Sequence, residues 1–195
     1  MQVIQGRTGW IEVICGPMFS GKSEELIRRL RRVEIARQRL QVFKPALDNR
    51  FHASDIVSHS QQRMPGEVVA TSADILGRLD DKTEVVGVDE GQFFDAGVVD
   101  VCNRLANLGK RVIVAGLDQD YRGRPFGPMP AMMAAAEYVT KQLAICVVCG
   151  NPANHTQRLT ASLDQIVVGS QGTYEARCRR CFEPPAGEGS EGSAD

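Results

Sequence analysis

One segment near the start of the chain has the residues of a phosphate-binding loop. In order, its residues are Gly16, Pro17, Met18, Phe19, Ser20, Gly21, Lys22 and Ser23, which match the pattern G-x-x-x-x-G-K-[ST]. Glycines let the backbone curl until successive N–H groups point at phosphate oxygens, and the first turn of a following helix adds a partial positive charge of about half a unit. In this pattern Lys22 reaches the β- and γ-phosphates and the Ser23 hydroxyl binds Mg²⁺. The segment therefore predicts a site for ATP and Mg²⁺.

Two adjacent acidic residues, Asp89 and Glu90, follow the apolar run 84–88. A phosphate-binding loop needs a carboxylate at the end of a neighbouring strand to help hold the metal, ordinarily through a water molecule, and Asp89 has that place. Glu90 leaves the strand end in a different direction, where a carboxylate can accept the proton of an attacking hydroxyl or water. The pair predicts one metal-side carboxylate and one general base.

The six cysteines divide into four with metal-binding spacing and two without it. The four with metal-binding spacing form two C-x-x-C pairs, Cys146 with Cys149 and Cys178 with Cys181. Four thiolates suit tetrahedral Zn²⁺ and leave no open coordination position, which predicts a structural zinc site, whereas thioredoxin-like redox chemistry needs only one such pair. Cys15 and Cys102 lie among apolar residues, so we expect both to be buried.

The elements that position these residues alternate between strand and helix patterns. Apolar runs predict strands at 10–15, 40–43, 84–88 and 111–115, with a further possible strand at 165–168, and helical patterns cover 22–39, 72–79 and 95–108. This alternation is typical of a parallel sheet covered by helices. The predicted fold class is α/β: a P-loop (RecA-like) parallel sheet flanked by helices, with a small zinc-ribbon or lasso domain.

Changes in composition predict three regions along the chain. Residues 1–142 form the ATP-binding α/β domain, and residues 143–182 form a zinc-binding lasso domain that contains both cysteine pairs. Residues 183–195 are rich in Pro, Gly, Ser and acidic residues, so we expect a disordered tail that lacks the apolar surface to order itself. The polar stretch 45–66 is a long connection, and such connections are usually functional or mobile.

Charge and hydropathy exclude several classes of protein. The formal net charge is -1, so the sequence has no basic excess for constitutive nucleic-acid binding. It also has no apolar run of the roughly 20 residues that cross a bilayer, so we expect no membrane association. Residues 1–9 lack the apolar core of a secretory signal, which leads us to expect a cytoplasmic protein.

Several motifs, taken in their order and spacing, resemble the cellular-type thymidine kinases. These motifs are G-P-M-F-S-G-K-S at 16–23, D-E-G-Q-F-F at 89–94, P-F-G at 125–127, V-G-x-x-x-x-Y at 168–174 and the two cysteine pairs. The resemblance runs from about Trp10 to Phe182. A phosphate-binding loop alone has little specificity, but this combination is specific to the family.

The resemblance implies roles for individual residues. Glu90 is then the base for the 5′-hydroxyl of thymidine, and the nucleotide-binding set is the loop 16–23 with Asp48, Asn49, Arg50, Asp89 and Gln92. Ser23 and Asp89 hold Mg²⁺. The implied nucleoside pocket consists of Met18, Leu117, Tyr121, Phe126, Gln165, Ile166, Val167, Val168, Gly169 and Tyr174. The loop between the cysteine pairs closes over the base as a lasso, through backbone contacts at 165–169. Position 121 is Tyr where some members of the family have Phe, and both stack on a base.

The resemblance also implies a homotetramer that is inhibited by its end product, deoxythymidine triphosphate.

Two other classes of function compete with a nucleoside kinase. A P-loop ATPase whose zinc ribbon grips nucleic acid would need a basic, aromatic-studded ribbon. Arg177, Arg179 and Arg180 are basic, but the region has few aromatic residues. A non-enzymatic nucleotide switch would not need Glu90.

Overall fold

A six-stranded parallel sheet organises the chain. The computed structural model describes residues 8–46, 55–57, 63–162, 164–165, 167 and 172–185. The strands are β1 (Trp10–Cys15), β2 (Leu40–Pro45), β3 (Asp55–Val57), β4 (Arg63–Pro65), β5 (Glu67–Val69), β6 (Val85–Val88), β7 (Arg111–Gly116), β8 (Tyr138–Lys141), β9 (Ala144–Ile145), β10 (Pro152–Ala153), β11 (His155–Arg158) and β12 (Tyr174–Arg177). The helices are α1 (Lys22–Ile35), α2 (Ser72–Arg78), α3 (Val98–Asn107) and α4 (Met129–Ala135).

The large sheet has the strand order β5-β2-β6-β7-β1-β8, and every neighbouring pair in it is parallel. Its register places Cys15 at the end of β1 opposite Gly116 of β7 on one side and Lys141 of β8 on the other. The carboxyl ends of these strands therefore meet at one edge of the sheet. Ligands of open α/β sheets bind outside this edge.

Alternate residues of the central strands face two separate apolar cores. Val13 and Val114 pack with α2, α3 and α4 on one face, whereas Ile14 and Ile113 pack with α1 on the other. Both faces are covered, which is the usual state of a parallel sheet. Cys15 and Cys102 are completely buried, as predicted. Within the described residues, no helix has the length and apolar character needed to span a bilayer.

This arrangement confirms the predicted α/β class, although element ends differ from the predictions. Helix α1 ends at Ile35 because Arg37 adopts a left-handed conformation with φ of 56°, and the Gln38 N–H bonds the Val33 carbonyl at 3.1 Å. Helix α3 begins at Val98, after a 3₁₀ turn at Gly91–Phe93. The sequence prediction missed α4 and the edge strand β8. Gln165 and Val167, part of the predicted strand 165–168, lie outside any strand, and residues 166 and 168 lie outside the described residues.

The cysteine-rich region contains two small antiparallel sheets, β9 with β10 and β11 with β12. The Val147 N–H joins the two sheets through the Ala176 carbonyl at 3.1 Å. The first residue of the predicted tail is bound to this region, because the Glu183 N–H and C=O both bond the side-chain amide of Gln157, at 2.8 and 2.9 Å. Residues 186–195 of that tail lie outside the described residues.

A chain of ion pairs fixes α1 to β1, on either side of the phosphate-binding loop. Glu25 accepts bonds from Arg28 at 2.6 Å and Arg29 at 2.8 Å, and Arg29 also contacts the buried Glu12 of β1 at 2.7 Å. Glu12 is in turn paired with Arg111 of β7 at 2.7 Å. The hydrogen bonds from Arg28 and then Arg29 outweigh partial burial and lower the pKa of Glu25 from 4.5 to about 2.

We expect Glu25→Gln to lower the free energy of unfolding at pH 7 by about 0.5–1 kcal/mol, because the pair is partly exposed to solvent. The folded pKa is depressed, so this contribution is present above the ordinary value of 4.5 and is lost as pH falls towards about 2. Urea denaturation of both proteins from pH 7 to pH 3 measures the difference. Glu24→Gln is the matched control in the same helical turn and should change stability less. A Glu25→Gln deficit that stays constant to pH 3 would contradict this assignment.

Candidate active site

The phosphate-binding loop connects β1 to α1 with an unusual backbone. Gly16, Phe19 and Gly21 all have positive φ angles, of 139°, 65° and 83°. Gly16 also tolerates no side chain, because a Cβ there would lie 2.1 Å from the Gln142 carbonyl oxygen. Phe19 is not a glycine, and a left-handed conformation at such a residue costs of order 1–3 kcal/mol, a kind of strain that clusters at functional sites.

Lys22, the first residue of α1, turns back over the loop. Its Nζ donates a hydrogen bond to the Pro17 carbonyl at 2.6 Å, and the Ser20 hydroxyl donates to the same oxygen at 2.8 Å. Burial lowers the pKa of Lys22, against the attraction of Glu90 and Asp89. The ammonium group therefore lies within electrostatic reach of both acidic residues that follow β6.

Asp89 and Glu90 differ in burial and in backbone conformation. Asp89 is buried, and burial together with the neighbouring charge of Glu90 raises the pKa of its carboxyl group to about 7. Glu90 is exposed and adopts a left-handed conformation with φ of 54°. This left-handed turn follows directly after β6 and Asp89. That the two side chains leave the strand end in different directions stays a prediction. Only Asp89 is shielded from solvent.

Gln92 holds the Glu90 side chain in place. It is 3% exposed, its Nε2 donates to Glu90 Oε2 at 2.6 Å, and its Oε1 accepts the Leu117 N–H at 2.9 Å. Gly116 makes room for it, because a Cβ at that position would lie 2.8 Å from Gln92 Oε1. Gln92, predicted to bind nucleotide, is thus placed between Glu90 and the end of β7.

The loop after β7 carries three residues of the predicted nucleoside pocket. Leu117 is fixed by Gln92, Phe126 packs edge-on against Phe93 with ring centroids 5.6 Å apart, and Tyr121 is buried. The Phe126 N–H bonds the Asp118 carbonyl at 3.1 Å and closes the loop. These three side chains share the sheet edge of Glu90.

The other described members of that predicted pocket are Met18 of the phosphate-binding loop and three residues of the cysteine-rich region, Gln165, Val167 and Tyr174. The Met18 N–H of the phosphate-binding loop donates to the Thr156 hydroxyl at 3.0 Å. The Gln165 amide reaches Asp120 at 3.4 Å, and the Tyr174 hydroxyl donates to the Val167 carbonyl at 2.9 Å. The predicted residues Asp48, Asn49, Arg50, Ile166, Val168 and Gly169 lie outside the described residues.

Sequence reasoning missed three polar residues beside this site. Thr156 joins the cysteine-rich region to the phosphate-binding loop. Asp118, 4% exposed, pairs with Lys141 at 2.7 Å across the end of β1, and its Oδ1 has no partner among the described residues. Arg158 is buried between Tyr121 and Tyr174. No local sequence pattern marks these residues.

The four paired cysteines converge as predicted. Their sulfur atoms all lie within 4.8 Å of one another, and those of Cys149 and Cys178 are 3.6 Å apart. Two ligands about 2.3 Å from one tetrahedral zinc ion would be separated by about 3.8 Å. Hydrogen bonds from Cys149 and Cys178 raise the pKa of Cys181 to about 12. The donor set therefore fits Zn²⁺.

Comparison with known proteins agrees with the resemblance. A sequence model of the family described as "Thymidine kinase" matches residues 9–182. A relative named "Thymidine kinase", from Rhodothermus sp. (strain ITI 518), is 62% identical over 180 residues, which cover 92% of this chain and 84% of the relative. The match includes the phosphate-binding loop, both acidic residues and all four clustered cysteines.

We expect Gln92→Met to lower the free energy of unfolding by about 1–3 kcal/mol, because the substitution leaves the Leu117 N–H without its acceptor and releases Glu90. Chemical denaturation measures the loss. Gln119→Met is the matched control in the neighbouring loop, because the buried amide oxygen of Gln119 has no partner among the described residues. Equal losses in the two variants would show that the bonds of Gln92 contribute nothing specific.

Proposed function

The chain belongs to the thymidine kinase family, and on this premise we propose that it transfers the γ-phosphoryl group of ATP to the 5′-hydroxyl of thymidine. The observation that carries the proposal is the conformation of Glu90. A left-handed backbone and a 2.6 Å bond from Gln92 hold this exposed carboxylate at the sheet edge of the phosphate-binding loop. An exposed carboxylate in that place is available to an incoming hydroxyl group.

Phosphoryl transfer requires mainly positioning and charge stabilisation from the protein. The loop 16–23 binds the phosphates through its backbone N–H groups, and Lys22 moves from the Pro17 carbonyl to the β- and γ-phosphates. Glu90 accepts the proton of the 5′-hydroxyl as the oxygen attacks. Ser23 and Asp89 hold Mg²⁺, which neutralises phosphate charge when it is bound. Residues 48–50 and Gln92 complete the nucleotide side of the site.

The thymine base binds between the loop after β7 and the lasso, which we define as residues 159–173 between β11 and β12. Met18, Leu117, Tyr121, Phe126 and Tyr174 form its apolar surroundings. Residues 165–169 of the lasso supply backbone hydrogen bonds. A site that pairs every polar group of its substrate rejects an analogue that leaves buried groups unpaired, by up to about 10⁴-fold or more.

Further properties of the family extend the proposal. We infer a cytoplasmic homotetramer that is inhibited by deoxythymidine triphosphate and acts on neither nucleic acid nor membranes. The edge strand β8 supports self-association, because Tyr138 and Val139 are 62% and 48% exposed there and Leu143 and Ile145 continue the apolar surface. The outer edge of β8 has no strand partner among the described residues, and such an edge is a template for pairing with another chain.

We expect Glu90→Gln to reduce kcat for thymidine by about 10²–10⁴-fold, the usual contribution of a general base, while the KM for ATP changes little. Transfer of labelled γ-phosphate from ATP to thymidine measures both constants. Asp100→Asn, which removes an exposed carboxylate from α3, is the control and should match the unmodified enzyme.

The same assay tests the reaction itself when it is offered thymidine, deoxyuridine, deoxycytidine and single-stranded DNA. Labelled thymidine 5′-phosphate is the expected product. Labelling of DNA alone, or ATP hydrolysis without an acceptor, would refute the kinase proposal. Unchanged kcat in Glu90→Gln would refute only the role of the base.

We propose that Cys146, Cys149, Cys178 and Cys181 hold one structural Zn²⁺ per chain. Cys149→Ser should lose that zinc, as measured by elemental analysis. It should also raise the KM for thymidine, because the region that carries Thr156 and the lasso loses its fixed ends. Cys102→Ala, in the α/β core, should keep its zinc. A zinc-free protein with full activity would contradict the proposal.

A further inference from the structure

Arg158, at the end of β11, is a buried arginine that makes four hydrogen bonds through its two Nη atoms, while its buried Nε has no partner among the described residues. It is 7% exposed. Its Nη1 donates to the carbonyls of Ser162, at 3.0 Å, and of Asp164. Its Nη2 donates to the Gln165 carbonyl at 3.0 Å and to the Tyr174 hydroxyl at 2.8 Å. One guanidinium group therefore binds three lasso carbonyls and a side chain of β12.

The same group stacks on the predicted nucleoside pocket. The guanidinium carbon lies 3.5 Å from the centroid of the Tyr121 ring and 5.3 Å from that of Tyr174. The Tyr174 hydroxyl, which accepts a hydrogen bond from Arg158, donates one to the Val167 carbonyl at 2.9 Å. Arg158 thus joins the loop after β7, the lasso and β12 at a single point.

The described residues of the lasso next to Arg158 are mostly exposed to solvent. Thr160, Ala161, Asp164 and Gln165 are all exposed. A cavity of about 270 Å³ lies beside this part of the lasso, and Arg158, Tyr121, Ser162 and Pro185 are among the residues that line it. Hydrogen bonds therefore contribute to the position of these described residues: three run from Arg158 to their carbonyls, and one runs from Gln165 to Asp120.

The chemistry of the side chain explains why arginine is required here. The acceptors described for Arg158 are carbonyl and hydroxyl oxygens, so dipoles and the Tyr121 ring stabilise its buried charge. A planar guanidinium presents five N–H donors in a fixed fork, whereas a lysine ammonium presents three from a point and does not stack. Lysine therefore preserves the charge but not the geometry.

We propose that Arg158 is a positioning residue for nucleoside recognition, which holds the lasso carbonyls and the Tyr121 ring in the arrangement that accepts the base. This inference rests on the proposed function. Arg158 touches neither the phosphate-binding loop nor Glu90 through any described contact, so it acts on binding of the nucleoside and not on the transfer step.

The test is Arg158→Lys in the full-length, zinc-loaded enzyme. The KM for thymidine should rise at least ten-fold, while kcat at saturating thymidine and the KM for ATP stay within about three-fold of the unmodified values. Amide hydrogen exchange of 159–167 should accelerate, with β11 and β12 unchanged. Tyr174→Phe, which removes one hydroxyl group, should raise the KM for thymidine by a smaller factor. In the double variant, the KM for thymidine should rise by less than the product of the two single increases, because both changes break the same hydrogen-bond network.

Arg177→Lys is the matched control. Arg177 lies on the adjacent strand β12, is partly buried, and bonds Glu175 and the Cys181 carbonyl but no lasso residue among those described. It should leave the KM for thymidine within two-fold of the unmodified value.

Two results would overturn the inference. One is a thymidine KM within two-fold of the unmodified value in folded Arg158→Lys. The other is an equal rise in the KM values for thymidine and ATP, which would indicate general loss of structure. If Arg158→Lys does not fold, an unchanged thymidine KM in Tyr174→Phe also overturns it. Failure of the proposed function would give a different result, because the unmodified enzyme itself would not phosphorylate thymidine.

Discussion

The parallel register of the sheet is the constraint on which the site depends. Cys15, at the end of β1, lies level with Gly116 of β7 and Lys141 of β8, and β6 ends beside β7. Hydrogen bonding between parallel strands brings their carboxyl ends to one edge, so residues far apart in sequence leave the sheet at the same place. The phosphate-binding loop, the acidic pair and the aromatic loop are neighbours for this reason. A shift in the register of any one strand would separate them.

Charges of both signs are concentrated at this edge. Among the described residues, Asp89, Glu90 and Asp118 contribute three carboxylates, and Lys22, Lys44 and Lys141 contribute three ammonium groups. Desolvation raises the pKa of Asp89 to about 7 and lowers that of Lys22, so both charged forms are costly without a ligand. In the proposed reaction, a triphosphate with its divalent cation would supply further partners of opposite charge: phosphate oxygens for Lys22 and a metal ion for the carboxylates.

The cysteine-rich region also contacts the α/β domain. Its described contacts with that domain include Thr156 to Met18, Arg158 to Tyr121 and Gln165 to Asp120. Each of these lies beside the phosphate-binding loop or the aromatic loop. A metal that fixes the ends of this region would therefore also fix one wall of the nucleoside site. Small displacements of such a wall matter because phosphoryl transfer depends on the alignment of the reacting atoms.

The sequence by itself determined the features that depend on short stretches of chain. The loop 16–23, the acids at 89 and 90, and the two cysteine pairs are local patterns whose chemistry follows from residue type and spacing. Strands β1 and β7 follow from apolar runs. The tertiary structure decided the features that depend on distant partners, including the edge position of β8, the hydrogen bond from the Leu117 N–H to Gln92, and the contacts of Asp118 and Arg158. Thr156 and Met18 are 138 positions apart, and no local pattern encodes such a contact. Buried hydrogen bonds form wherever folding brings a donor and an acceptor together, and only the packed chain specifies those places.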